Sequence, residues 1–220
     1  ADLDVLPLPL LVVAQEIGGQ NFGAFEPGGR LVGFVLALPG LRQGRPYFHS
    51  HMLGVLPEYR DRRVGRTLKL MQRQDALARG VRLVEWTFDP LEVKNAFFNL
   101  ERLGVIVRRY VPNRYGTTTS ALHAGLPTDR LVAEWWLDSP RVAAVLEGNP
   151  GNQAPDRRIQ LPLDIAEIKK ADLERARRVQ QRLRLQFEEA FSQALVVTGF
   201  DRGGAYLLSR ESAVAEALSR

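Results

Sequence analysis

The spacing of hydrophobic and polar positions changes period several times along the chain, and each change marks an element. Residues 8–17 are almost continuously apolar and predict a short helix, stopped by Gly18-Gly19. Residues 21–25 and 30–38 predict two strands of a hairpin about the turn Pro27-Gly28-Gly29, the second ended by Pro39-Gly40. Residues 47–55 predict a third strand; strict alternation places Tyr47, His49, His51, Leu53 and Val55 on one face. From residue 62 to 79 the period becomes helical, with Val64, Leu68, Met71 and Ala78 on one stripe and Gly80 as the stop. Residues 81–88 predict a buried strand. Asp89, Pro90 and Glu92 form a capping pattern for a helix running to about residue 103, stopped by Gly104.

A strand over 105–110, a long polar loop over 112–127 and a strand over 131–137 complete a mixed α/β sheet with helices packed on it. Past residue 137 the texture changes. Residues 138–158 predict a helix and a Gly/Pro/Asn-rich linker. Residues 159–163 predict a strand, and 172–191 an amphipathic helix with Val179, Leu183 and Phe187 on its apolar side. Residues 195–198 and 205–208 predict a hairpin around Arg202-Gly203-Gly204. The organisation expected is a domain over 1–137, a connection over 138–158 and a small α+β extension over 159–220. The helix of that extension needs an apolar surface, either the core sheet or a second subunit in a homodimer.

The chain has 220 residues, no cysteine and three histidines, one of them, His123, in the long loop. Without cysteine there is no disulfide, no thiolate metal site and no cysteine nucleophile. Three histidines argue against a histidine-rich metal site, so no metal is expected. No apolar run reaches the roughly 18–20 residues of a membrane span, and residues 6–11 lack the basic leader of a signal peptide, so the expected location is the cytoplasm. The net charge of +5 is carried mostly by arginine. Nucleic acid is one class of partner for such a surface, but aromatic-interleaved basic strands and a recognition-helix pattern are both missing. A polyanionic cofactor is the other.

The chemistry concentrates between Val55 and Arg66, where a strand ends, a short turn follows and a helix begins at once. The first-turn amides of a helix have no intrahelical partner, and with the helix dipole they form a cradle for a pyrophosphate. Gly65 allows close backbone approach, while Arg60, Arg62, Arg63 and Arg66 add positive charge. Glu85, on the following strand, is a candidate base.

This segment resembles the acyl-CoA loop of the GNAT superfamily of N-acetyltransferases, Arg/Gln-x-x-Gly-x-Gly/Ala, with Arg60 in the first position and Gly65 in the last. The strand at 82–89, Asn95-Ala96 and Glu101-Arg102-Leu103-Gly104 resemble the family's second cofactor motif. The likeness covers roughly residues 20–137, and the run from Thr87 to Gly116 is similar to a bacterial branch with a C-terminal extension.

The resemblance implies a GNAT-like fold and transfer of an acyl group from acetyl-CoA, or another acyl-CoA, to a small-molecule or peptide amine. Attack would be direct, in a ternary complex. It implies Leu53, Val55, Arg60, Arg62, Arg63, Val64, Gly65, Arg66 and Asn95 as cofactor contacts. The base site of some members falls on His49, with His51 beside it, and Tyr110 and Tyr115 are candidate donors to the thiolate. Three positions depart from the family: Arg63 stands where the first glycine is usual, Leu100 replaces a frequent tyrosine acid, and the opening strand and first helix have no counterpart before Leu8. A non-catalytic acyl-CoA-binding module is the alternative.

Overall fold

The structure is a computed structural model, and it describes residues 7–116, 125–149 and 154–218. His123 and much of the long loop lie outside the described residues. Two compact units divide the chain, one of residues 5–86 and 136–138, the other of 87–135 and 139–220.

The first unit opens with α1 (Leu8–Glu16) and continues through β1 (Gln20–Phe25), β2 (Leu31–Arg42) and β3 (Arg45–Val55) to α2 (Val64–Ala78). It closes in β4 (Leu83–Phe88), which the chain leaves this unit within. The strands lie in the order β1-β2-β3-β4, antiparallel up to β3, with β4 parallel to β3. Pro39-Gly40 does not end β2, which runs on to Arg42. β1 pairs with β2 only as far as Gln20 opposite Ala37, so Pro39 sits where that side of β2 is an open edge and its missing N–H costs no ladder bond. The hairpin turns instead at Gln43 and Gly44, both with positive φ, between the paired Arg42 and Arg45.

One face of this sheet carries α2. A Cβ on Gly33 would stand 3.0 Å from Val64 and 3.4 Å from Leu68 of that helix. The buried stripe of α2 is Leu68, Lys69, Gln72 and Ala76, whereas Met71, expected to be inside, is exposed. The helix thus turns two polar side chains inward. Gln20 reaches the same helix, donating to the Gln72 backbone carbonyl at 2.9 Å and to Asp75 at 2.8 Å.

In the second unit α3 (Val93–Phe97) passes into a wider turn over Phe98–Arg102. Asp89 does not cap it: its Oδ1 accepts from Leu91 N at 2.8 Å, and the helix begins only after Glu92. β5 (Ile106–Val111) and β6 (Arg130–Trp136) follow, then α4 (Pro140–Leu146), β7 (Arg157–Gln160), α5 (Ile165–Ala171) and α6 (Leu173–Ser192). A hairpin of β8 (Leu195–Phe200) and β9 (Ala205–Arg210) and the helix α7 (Glu211–Leu218) complete it. Its strands lie in the order β6-β5-β8-β9-β7, with β8 joined to β5 at Val107 opposite Val197. The amphipathic α6, capped by Asp172 accepting from Arg175 N at 2.8 Å, buries Val179, Leu183 and Phe187. Phe187 stacks on Tyr110 and meets the edge of Tyr206, so the helix covers the sheet of its own unit. Among the described residues no helix is long and apolar enough to cross a membrane.

α1 is seated against the first sheet by Gly19, where a Cβ would stand 2.4 Å from the Ala14 carbonyl oxygen and 2.6 Å from that of Ala37. Gly19→Ala must therefore push α1 off the sheet, and we expect it to lose about 1–3 kcal/mol in chemical unfolding. Unchanged stability would show that α1 is not held there.

Candidate functional site

Alternation alone puts His49, His51, Leu53 and Val55 on one face, and the structure overturns that. Leu36 pairs with Met52 but Ala37 pairs with Ser50, so His51 is an extra residue, a β-bulge. Before the bulge Ser50 faces α2; its Oγ lies 2.7 Å from Lys69 Nζ. After it Leu53 and Val55 face α2, each within 4 Å of where a Cβ on Gly65 would be. His49 is on the opposite face, half-buried and in register with Glu85, while His51 is exposed and 6.3 Å from His49 between ring centroids.

β3 and β4 pair only at Phe48 with Val84 and at His49 with Glu85. Past that point β3 continues to Val55, so among the described residues its edge toward β4 carries no ladder from 50 to 55. Such an edge is a row of backbone donors and acceptors open to a ligand. It leads to a short 3₁₀ turn over Pro57–Tyr59 and then to α2. Arg63, the residue before α2, makes no side-chain cap, so the first-turn amides are candidate donors to a ligand or solvent. At Gly65 a Cβ would meet only ordinary contacts, Leu53 at 3.7 Å and Val55 at 3.8 Å, so packing within the protein does not require a glycine there.

The arginines around the turn differ in placement. Arg60 Nε donates to the Val55 carbonyl at 3.3 Å, laying its side chain along the strand end. Arg62 rests over the Tyr59 ring at 5.3 Å, and the Tyr59 hydroxyl bonds Glu26. Arg63 is exposed and immediately precedes the helix with φ of 66°, the left-handed region that favours glycine. The residue where the family usually has glycine thus keeps the glycine conformation without the glycine.

Glu85 is buried and ion-paired to Arg42. Tyr110 and Asn95 belong to the second unit, where Asn95 is exposed. The Tyr110 hydroxyl donates to Asp129 at 2.6 Å; burial, then that bond, push its pKa far above the usual phenol value, so it stays protonated. Tyr115 shares a 3.0 Å hydrogen bond with Thr87, and Leu100 is core. Sequence reasoning missed Lys69, a buried lysine on α2 beside Ser50. The only signal for it was its place one residue after Leu68 on the inward stripe.

Residues 11–104 match the family model described as Acetyltransferase (GNAT) family. That segment is similar to a GNAT acetyltransferase domain. Solved GNAT structures have the same fold. Naa20 of Chaetomium thermophilum, in complex with a bisubstrate analogue, superposes with a TM-score of 0.50 at 18% identity, covering 60% of this chain and 73% of its own. The NatB acetyltransferase complex bound to CoA and MES gives 0.51 at 15% identity, covering 60% and 82%. No curated protein matches the chain in sequence.

The left-handed Arg63 carries a steric cost of about 1 kcal/mol that glycine does not. Arg63→Gly should raise stability by about that amount in thermal or urea unfolding. A loss of stability would mean that the side chain holds the turn.

Proposed function

We propose that the chain is an acyltransferase that moves an acetyl, or other acyl, group from acyl-CoA to an amine by direct attack in a ternary complex. The observation that carries this reading is the open edge of β3 from residue 50 to 55, leading to the uncapped first turn of α2. Coenzyme A suits this arrangement: its pantetheine arm offers amides to a strand edge, and its pyrophosphate suits a helix N-terminus. Gly65, which packing within the protein does not require, supports the same fit.

Bound acyl-CoA would supply the acyl group as a thioester, whose C–S bond breaks as the amine nitrogen forms the amide C–N bond, so that CoA leaves as its thiolate. Backbone groups of β3 from Ser50 to Val55 hold the pantetheine arm. Amides of Val64, Gly65 and Arg66 bind the phosphates, with Arg60, Arg62 and Arg63 neutralising their charge. On the other face of the sheet, at the last pair of β3 and β4, the His49 imidazole takes the proton from the attacking amine nitrogen. Glu85, in register with His49 and paired to Arg42, is the carboxylate beside it. The acceptor is a small-molecule amine or the amino group of a peptide.

Two measurements test this. Calorimetry should detect CoA binding to the full chain, and Gly65→Gln should weaken it at least about tenfold by filling the phosphate space, a change of about 1.4 kcal/mol. No binding by the wild-type chain contradicts the reading. His49→Gln keeps size and polarity but takes up no proton; it should lower kcat by about 10²–10⁴-fold, with CoA affinity nearly intact. Thiol release across panels of peptides and small-molecule amines reads this. CoA binding with no turnover on any amine would favour the non-catalytic module.

A further inference from the structure

Lys69 is 2% exposed, and its ammonium has no carboxylate partner among the described residues. It donates to Ser50 Oγ at 2.7 Å and to Gln72 Oε1 at 3.0 Å, and it lies 3.7 Å from the centroid of the Trp86 ring. The positions of these partners matter more than their number. The last pair joining β3 to β4 is His49 with Glu85, and Ser50 and Trp86 are the next residue along each strand. The ammonium therefore touches both strands at the point where they part. It reaches there from α2, the helix whose first turn lies at the other end of the opening.

This cluster is costly. Among the described residues, Nε2 of the Gln72 side chain bonded to Lys69, and Oε1 of Gln20, which bonds the backbone of the same helix, are buried without a partner, and burial lowers the Lys69 pKa from 10.5 to about 7. The charged groups on the elements packed around it are engaged elsewhere: Asp75 with Gln20 and Arg79 on the same helix, Glu85 with Arg42 on β4. His49, on β3, points to the opposite face. A leucine or methionine would fill the space without this cost, so stability does not explain a lysine here.

We propose that Lys69 is a positioning residue: bonded to Ser50 on β3 and seated on Trp86 of β4, it holds the two strands apart and so sets the opening that admits the pantetheine arm. The inference rests on the acyl-CoA reading above.

The two halves of the contact can be removed with opposite effects on stability. Lys69→Met removes the buried charge. The unfolded chain holds a proton on Lys69 up to about pH 10.5, whereas the folded chain loses it near pH 7, so wild-type stability rises with pH between those values. Lys69→Met should therefore melt above wild type, by more at pH 6 than at pH 10. Ser50→Ala leaves the ammonium short of a partner and should melt below wild type. Both should nevertheless weaken CoA binding by about tenfold, the scale of one hydrogen bond to a charged group, and Ser50→Thr, which keeps the hydroxyl, should restore it.

Calorimetry with CoA on the full-length chain, with melting curves at pH 6 and pH 10, reads all of this. Affinity that follows stability, or wild-type affinity in either Lys69→Met or Ser50→Ala, overturns the proposal. Should Lys69→Met fail to fold, the Ser50→Ala and Ser50→Thr pair decides it. If the wild-type chain itself binds no CoA, the acyl-CoA reading falls first and this inference with it.

Discussion

β3 and β4 run parallel, yet among the described residues they share only two ladder pairs, and the proposed chemistry depends on that early parting. A parallel pair that zipped to its end would satisfy every backbone group and leave nothing for a ligand. Here β3 goes on from Ser50 to Val55 with one edge bonded to β2 and the other open. The bulge at His51 works with the divergence. By adding one residue it turns Leu53 and Val55 toward α2, where they pack beside Gly65, while His49 stays on the far face. One strand thereby serves two faces, in the proposed reading a cofactor side next to the helix and a reaction side next to Glu85.

Holding such an opening has a thermodynamic cost, and the structure shows where it falls. Arg63 is kept in a left-handed conformation at the mouth of α2, and Lys69 is buried at the apex of the opening with no carboxylate partner among the described residues. Both sit in the segment between the strand end and the first two turns of α2. Strain and desolvation concentrated in so short a stretch are typical of sites that trade stability for a task.

Much of this was legible in the sequence. The order of elements from α1 to β6 followed from apolar periodicity and glycine stops, and Arg60 to Gly65 marked the strand–turn–helix junction. What could not be read were features set by pairing. The bulge adds a residue to one strand only, and nothing in Ser50-His51-Met52 differs from a regular strand, so alternation placed His49 and Val55 on one face. Pro39 looked like a strand end because its cost depends on whether a neighbour needs its N–H, and β1 stops short of it. Asp89 had the residues of a capping box, but its carboxylate turned back on Leu91. Lys69 would be assigned to a solvated helix face by its charge, and only its contact with Ser50 and Trp86 shows otherwise.

Hydrogen exchange of the full chain, with and without CoA, tests most directly whether the open edge of β3 and the first turn of α2 form one ligand site. Protection should appear together in residues 50–55 and 64–66 and be weaker elsewhere. Protection confined to other segments, or none at saturating CoA, would contradict it.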